Sequence, residues 1–183
     1  MRSMLQRVSG AARRRSLALI GALAVSVAMV ASATPASATI GCTGGDGCNH
    51  QTTIYMDGGN YTPYHEWWGP FTVLKMQGDG NLVLYCTSNG EPKWSTGTVN
   101  SNTTWVNFEG GSGGGSMVIW TNQGPSGNVA LWSSLTKPPT HSTRGTQAIV
   151  QADGNFVIYD GSGNALWASN TYRRCPGTEG YWG

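Results

Sequence analysis

One stretch of nine residues occurs twice in this chain, as QGDGNLVLY at residues 77–85 and as QADGNFVIY at residues 151–159. Gln, Asp, Gly, Asn, Val and Tyr recur at the same offsets. The positions between them change conservatively, with Leu82 against Phe156 and Leu84 against Ile158. The alternation has a period of two, which predicts one strand per copy with one face buried and one face wet. Gln151, Asp153, Asn155, Val157 and Tyr159 fall on one face; Ala152, Gly154, Phe156 and Ile158 fall on the other. Selection for packing alone would hold the inward residues and let the outward ones drift. Here the outward set is what repeats, so it marks a binding surface.

Each copy is followed by a turn and a tryptophan motif, WSTGT from Trp94 and WASNT from Trp167, and a third such motif, WSSLT, begins at Trp132. Counting back from Trp132, the run Ser116-Met117-Val118-Ile119-Trp120 matches the Asn-x-Val-x-Tyr end of the other two. That alignment puts Ser112, Gly114 and Ser116 at the Gln, Asp and Asn positions and Trp120 at the Tyr position. The chain is expected to hold three structural repeats, at roughly residues 50–98, 99–136 and 137–171, with the polar face kept in the first and last.

These residues resemble the bulb-type (monocot) mannose-binding lectin family, whose signature is Q-x-D-x-N-x-V-x-Y repeated about a pseudo-threefold axis. The resemblance spans roughly residues 50–171, and the leader described below makes the chain similar to a secreted, bacterial-type member. It implies an all-β fold, β-prism II, with three antiparallel sheets and the three tryptophans packed on the central axis. It implies carbohydrate binding, no catalysis, no metal and no cofactor. By motif match the sugar-binding residues are Gln77, Asp79, Asn81, Val83 and Tyr85 in the first copy, and Gln151, Asp153, Asn155, Val157 and Tyr159 in the last. In the resemblance, Asp and Asn meet the axial O2 of mannose, Gln meets O3 and Tyr meets O4, while Val offers an apolar patch to the ring. Along one extended strand the polar residues would stand about 7 Å apart. Asp accepts hydrogen bonds, Asn and Gln do both, and Tyr does either, a set that satisfies vicinal hydroxyls. Relatives can exchange their last strand between subunits, which leaves a homodimer open.

The N-terminal 38 residues are expected to be a secretion signal. Arg2, Arg7, Arg13, Arg14 and Arg15 form a basic start without an acidic residue, residues 16–33 are apolar, and Ala36-Ser37-Ala38 suits cleavage before Thr39. A transmembrane anchor would need about 20 apolar residues and no processing site. Arg14-Arg15 loosely suits a twin-arginine signal and Cys42 a lipidation site, but both fit less well. Residues 39–183 then form one domain of natural size.

With those five arginines removed, six Lys and Arg face nine Asp and Glu, so the mature chain sits at about −3. No basic stripe remains to hold phosphates, which excludes nucleic acid as a partner and gives no basis for membrane insertion. Low charge and 27 glycines suit many short strands joined by tight turns. Cys42, Cys48, Cys86 and Cys175 predict two disulfides in an oxidising compartment, with three pairings open, one of them tying the domain's ends through Cys42 and Cys175. No CxxC or histidine spacing favours zinc.

Residues 50–68 are crowded with aromatics and are expected to form the entry strand of the first repeat, as core packing and a sheet edge rather than a platform for sugar rings. His65 beside Glu66 lacks a nucleophile, and a glycosidase would need two carboxyls roughly 5–10 Å apart across one cleft. Asp79 and Asp153 belong to different repeats. The glycine-rich run at residues 110–115 lacks the Lys-Ser or Lys-Thr of a phosphate loop. The expected function is that of a secreted lectin for mannose-containing glycans, with two intact sites and one degenerate. The alternative is an antimicrobial or protein-interaction module on the same scaffold.

Overall fold

In the computed structural model, residues 50–99, 103–125 and 127–181 are described. The expected signal segment and Cys42 and Cys48 lie outside them. The described residues form twelve strands and no helix. Three sheets result, each antiparallel and four-stranded. The first sheet has the order β3 (Glu66–Trp68), β4 (Thr72–Met76), β5 (Leu82–Cys86), β6 (Pro92–Ser95). The middle sheet runs β2 (Asn60–Tyr61), β7 (Thr104–Phe108), β8 (Met117–Gly124), β9 (Gly127–Ser133). The third runs β1 (Thr52–Tyr55), β10 (Gly145–Val150), β11 (Phe156–Asp160), β12 (Ala165–Ala168). This is the all-β prism of three sheets that the resemblance implies.

The strand registers align one inward row across each sheet. In the first it is Trp67, Leu74, Leu84, Trp94; in the middle, Tyr61, Val106, Ile119, Trp132; in the third, Ile54, Ala148, Ile158, Trp167. These rows meet in one shared core, with Met76, Leu82, Phe108, Met117, Val150 and Phe156 also fully buried. Trp94, Trp132 and Trp167 close one side of it edge to face, their ring centroids 5.2 to 5.7 Å apart. That spacing is the favoured T-shaped arrangement of aromatic quadrupoles. The three tryptophans are half-buried, so they cap the aliphatic interior rather than fill its centre.

One expectation is corrected. Residues 50–68 are not the entry of the first repeat alone, because β1 pairs with β10, β2 with β7 and β3 with β4. The segment hands one short strand to each sheet in turn. Each consecutive three-strand meander would otherwise leave a row of unpaired backbone groups at its edge. Sheet boundaries therefore differ from the consecutive repeat boundaries at residues 50–98, 99–136 and 137–171. Tyr61 and Trp67 do serve as packing groups, each stacking edge-on against Phe108 at 5.8 and 5.5 Å.

The pairing of Cys175, which the sequence left open, is decided here. Cys175 is bonded to Cys86 at the end of β5, not to Cys42, and the bridge spans 89 residues of sequence. The C-terminal tail therefore runs from β12 back across the third sheet's turn to the first sheet. On the way the Arg173 amide donates to the Asp153 carbonyl at 2.8 Å, Thr178 is fully buried, and Tyr181 stacks on Phe71 at 5.1 Å.

Candidate functional site

The repeated stretch does not form one strand. In both copies the first five residues are a hairpin turn and only the last residues enter the sheet. The Gln77 amide donates to Asn81 O at 2.9 Å and the Gly80 amide to Gln77 O at 3.1 Å, while the Gln151 and Gly154 amides repeat this at 2.8 and 3.2 Å. Gly80 and Gly154 have φ of 89° and 86°, the left-handed conformation that closes a three-residue hairpin loop. Asp-Gly is a strong turn signal, and it overrides the two-residue alternation read across it. Gln, Asp and Asn consequently curl around a turn instead of standing in a line along a strand. The aspartate shapes that turn, its Oδ1 accepting the amide two residues on, at 3.0 Å for Asp79 and 2.8 Å for Asp153.

The tryptophan motif explains why the asparagine is held. The Thr98 amide donates to Asn81 Oδ1 at 3.2 Å, and Thr96 Oγ1 donates to the same oxygen at 3.1 Å. In the third sheet the Thr171 amide and Ser169 Oγ do the same for Asn155 at 3.1 and 3.0 Å. Thr98 and Thr171 each also donate a hydroxyl proton to the glycine carbonyl of the turn at 2.8 Å. A backbone amide can only donate, so the asparagine oxygen faces the protein and its NH₂ is left for other partners. These hydroxyl residues, two and four positions after the tryptophan, carry a recurring polar signal that the initial alternation did not include.

Gln77 Nε2 donates to the Tyr85 hydroxyl at 2.7 Å, and Gln151 Nε2 to the Tyr159 hydroxyl at 2.8 Å. Because the phenol oxygen accepts, its own proton remains available to donate outward. Gln77, Asn81, Val83 and Tyr85 line one open cleft of about 410 Å³, whose other wall is Pro92, Lys93, Trp94 and Ser95 of β6. Val83 and Val157 are only 3% exposed, so neither is a free apolar patch, and Val83 lines this cleft. Asp79 is exposed on the turn and is absent from the cleft lining. The four β6 residues were not anticipated. Their signal is the sheet register, which sets Ser95 opposite Val83 and Pro92 opposite Tyr85 with a bulge between.

The third sheet keeps the Gln151–Tyr159 bond and the anchored Asn155, but Asp153 is 5% exposed. The tail covers its turn. A side chain at Gly154 would stand 3.1 Å from Thr178. Across the β11–β12 bulge stand Ala165, Leu166, Trp167 and Ala168, lacking the charge and hydroxyl that β6 carries in the first sheet.

The middle sheet departs further, and the expected alignment of Ser112 and Gly114 is corrected. The Glu109 amide donates to Ser116 O at 2.9 Å, the bond that Gln77 makes to Asn81, so Glu109 and not Ser112 occupies the glutamine position. The loop between them is three residues longer than its counterparts. Glu109 is held by Lys137 at 2.5 Å. An aspartate cannot stand at Gly114, whose β-carbon would lie 2.2 Å from Gly110 O. Ser116 is buried with its Oγ unpartnered, too short to reach what Asn81 and Asn155 reach, while Ser134 and Thr136 keep the hydroxyl pair behind it. Trp120 replaces the tyrosine and brings no hydroxyl.

Charge near the cleft is paired. Lys93 Nζ lies 2.8 Å from Glu91 Oε1, and the lysine's hydrogen bond, helped by its charge, lowers the Glu91 carboxyl below its ordinary value. Among the described residues no group of His, Cys, Asp or Glu could hold a metal ion.

No family model matches the sequence, and no curated protein does. Solved structures do. A monomeric monocot mannose-binding lectin from Gastrodia elata is 29% identical, with a TM-score of 0.52 over 68% of this chain and 99% of that one. The Marasmius oreades lectin is 22% identical, with a TM-score of 0.50 over 67% of this chain and 92% of its own, and shows the fold alone. The mannose-specific bulb lectin of the bluebell Scilla campanulata is 30% identical over 68% of this chain and 100% of its own, with a TM-score of 0.44. In fold, this chain is similar to a monocot mannose-binding lectin.

Proposed function

We propose that the protein is a secreted lectin that holds mannose-type sugars by direct hydrogen bonds at the first and third sheets. The observation that carries this is one hydrogen-bonded set built twice. A glutamine is fixed on a tyrosine hydroxyl at 2.7 and 2.8 Å, beside an asparagine pinned through its oxygen. Each set presents the tyrosine O–H and the asparagine NH₂ as donors and the glutamine carbonyl as acceptor, and in the first sheet the exposed Asp79, on the turn between Gln77 and Asn81 but outside the cleft lining, offers Oδ2 to a sugar that reaches past the cleft. Neighbouring sugar hydroxyls each give and take a proton, so they match such a mixture. The polar groups are oriented before the ligand arrives, which limits the ordering cost of binding. A shallow site of this kind holds one sugar weakly, and two sites on one chain gain through a polymeric mannan.

Calorimetric titration with methyl α-mannoside tests this reading, with a galactoside as control. Wild type is expected to bind mannoside, and Gln77→Ala with Gln151→Ala to abolish it while still melting cooperatively. Retained binding in that double variant would place the sugar elsewhere. Export with removal of the leader is part of the same proposal, and mass spectrometry of the culture medium should show Thr39 as the first residue.

A further inference from the structure

The cleft of the first sheet is longer than the repeated motif accounts for. Half of its wall is β6, and the residue at the bulge of β6, Lys93, has an apolar counterpart in each of the other sheets. Leu131 stands at the same bulge between Trp120 and Ile119 in the middle sheet, and Leu166 at the bulge between Tyr159 and Ile158 in the third. A bulge re-aims the side chain it carries, and here all three sheets have one at the same place.

Lys93 is not a solvated surface lysine. Its side chain is 17% exposed and Nζ is 2.8 Å from Glu91 Oε1. Glu91 is itself held from the turn, its amide donating to Asn89 Oδ1 at 3.0 Å and its Oε2 accepting from Asn89 Nδ2 at 3.3 Å. The ammonium is therefore fixed in position with two of its three protons unspent on Glu91. Pro92 beside it offers a flat apolar edge, and Ser95 a hydroxyl. None of these is needed by a sugar held on Gln77, Asn81 and Tyr85.

We propose that Lys93, with Pro92 and Ser95, forms a subsite for a second, uncharged saccharide unit, so that the first-sheet cleft selects a disaccharide end over a single mannose. This rests on the lectin reading above. The unit is uncharged because Glu91 already neutralises Lys93, and a carboxylate or phosphate on the ligand would meet the Glu91 carboxylate at the same edge. The third sheet, with Leu166 in place of the lysine, has no such preference.

The test uses a Gln151→Ala chain, in which only the first cleft is read, titrated with methyl α-mannoside, a mannose disaccharide and a mannose 6-phosphate glycoside. The disaccharide is expected to bind roughly tenfold tighter than the monosaccharide, the effect of one charge-assisted hydrogen bond. Lys93→Leu, which copies the third sheet's own residue, should bring that ratio close to one. Lys93→Arg should keep part of it. A ratio unchanged by Lys93→Leu would overturn the subsite, and so would tighter binding of the phosphorylated sugar than of the disaccharide. Failure of the monosaccharide to bind at all would instead overturn the lectin reading.

Discussion

The first and third sheets carry the same motif in the same bonds, yet one offers an open cleft and the other a partly covered turn. Gln, Asn and Tyr superpose in their contacts to within about 0.1 Å of hydrogen-bond length. What differs lies outside the motif. The third sheet's turn is crossed by the tail, and its bulge carries Leu166 where the first sheet has Lys93. Even the residue after the tyrosine is used differently. In the first sheet it is Cys86, which anchors that tail; in the third it is Asp160, which anchors its own hairpin. A repeated sequence therefore specifies equal local bonds, and inequality comes from the segments laid over them.

The largest expected effect follows from releasing the tail. Cys86→Ala with Cys175→Ala opens a bridge across 89 residues. Loop-closure entropy then predicts a loss of about 4.6 kcal/mol in denaturant melts. The same change should uncover Asp153 and bring the third site's mannoside affinity toward that of the first. Equal asymmetry before and after would show that the tail does not set the difference.

The tryptophan ring ties the first and third sheets to the middle one. Trp132→Ala should cost about 3 kcal/mol, the low end for truncating a large aromatic, because Trp132 is half-buried. A thermal melt matching wild type would remove it from the shared core.

Asn81 and Ser116 hold equivalent places with unequal bonding, which can be weighed directly. Asn81→Ala strands the Thr98 amide and should cost about 1–3 kcal/mol. Ser116→Ala removes a buried hydroxyl that has no partner and should fall within about 0.5 kcal/mol of wild type. Chemical denaturation of both variants checks the pair, and a loss at Ser116 as large as at Asn81 would mean the serine is bonded after all.

A smaller difference is expected between the aspartates. Asp79→Ala should weaken its site roughly tenfold, the scale of one hydrogen bond to a charged group. Asp153→Ala should change mannoside affinity much less, since the tail leaves that residue 5% exposed. Single-site titrations, each with the other glutamine removed, compare them.

The smallest effect is in acid. Hydrogen bonds from the Asn164 side chain and amide, with those from Ser162 and Thr143, lower Asp160 to about 2. A carboxyl depressed in the folded state stabilises the protein above its unfolded value near 4 and loses that contribution as pH falls from there to about 2. Melts between pH 5 and pH 2 should therefore fall less steeply for Asp160→Asn than for wild type.

Much of this protein is legible without coordinates. The twice-written motif and three tryptophan motifs determined three structural repeats, and the family resemblance they carry implied one antiparallel sheet for each. They also marked which glutamine, asparagine and tyrosine recur, but an alternation read as one strand did not show that Gln77 and Gln151 would meet Tyr85 and Tyr159. The turn at Asp-Gly was local and was hidden only by an alternation that happened to continue through it. Tertiary structure alone decided the rest. Residues 50–68 could serve three sheets only because three separate edges needed covering, and no pattern within that segment names its partners. Cys175 found Cys86 because the tail crosses between sheets far apart in sequence. Lys93 joined the first-sheet cleft through the register of β5 on β6, and Asp153 was buried beneath residues 171–181. In each of these cases the deciding contact lies between segments whose local patterns do not encode their meeting, so only the folded chain brings them together.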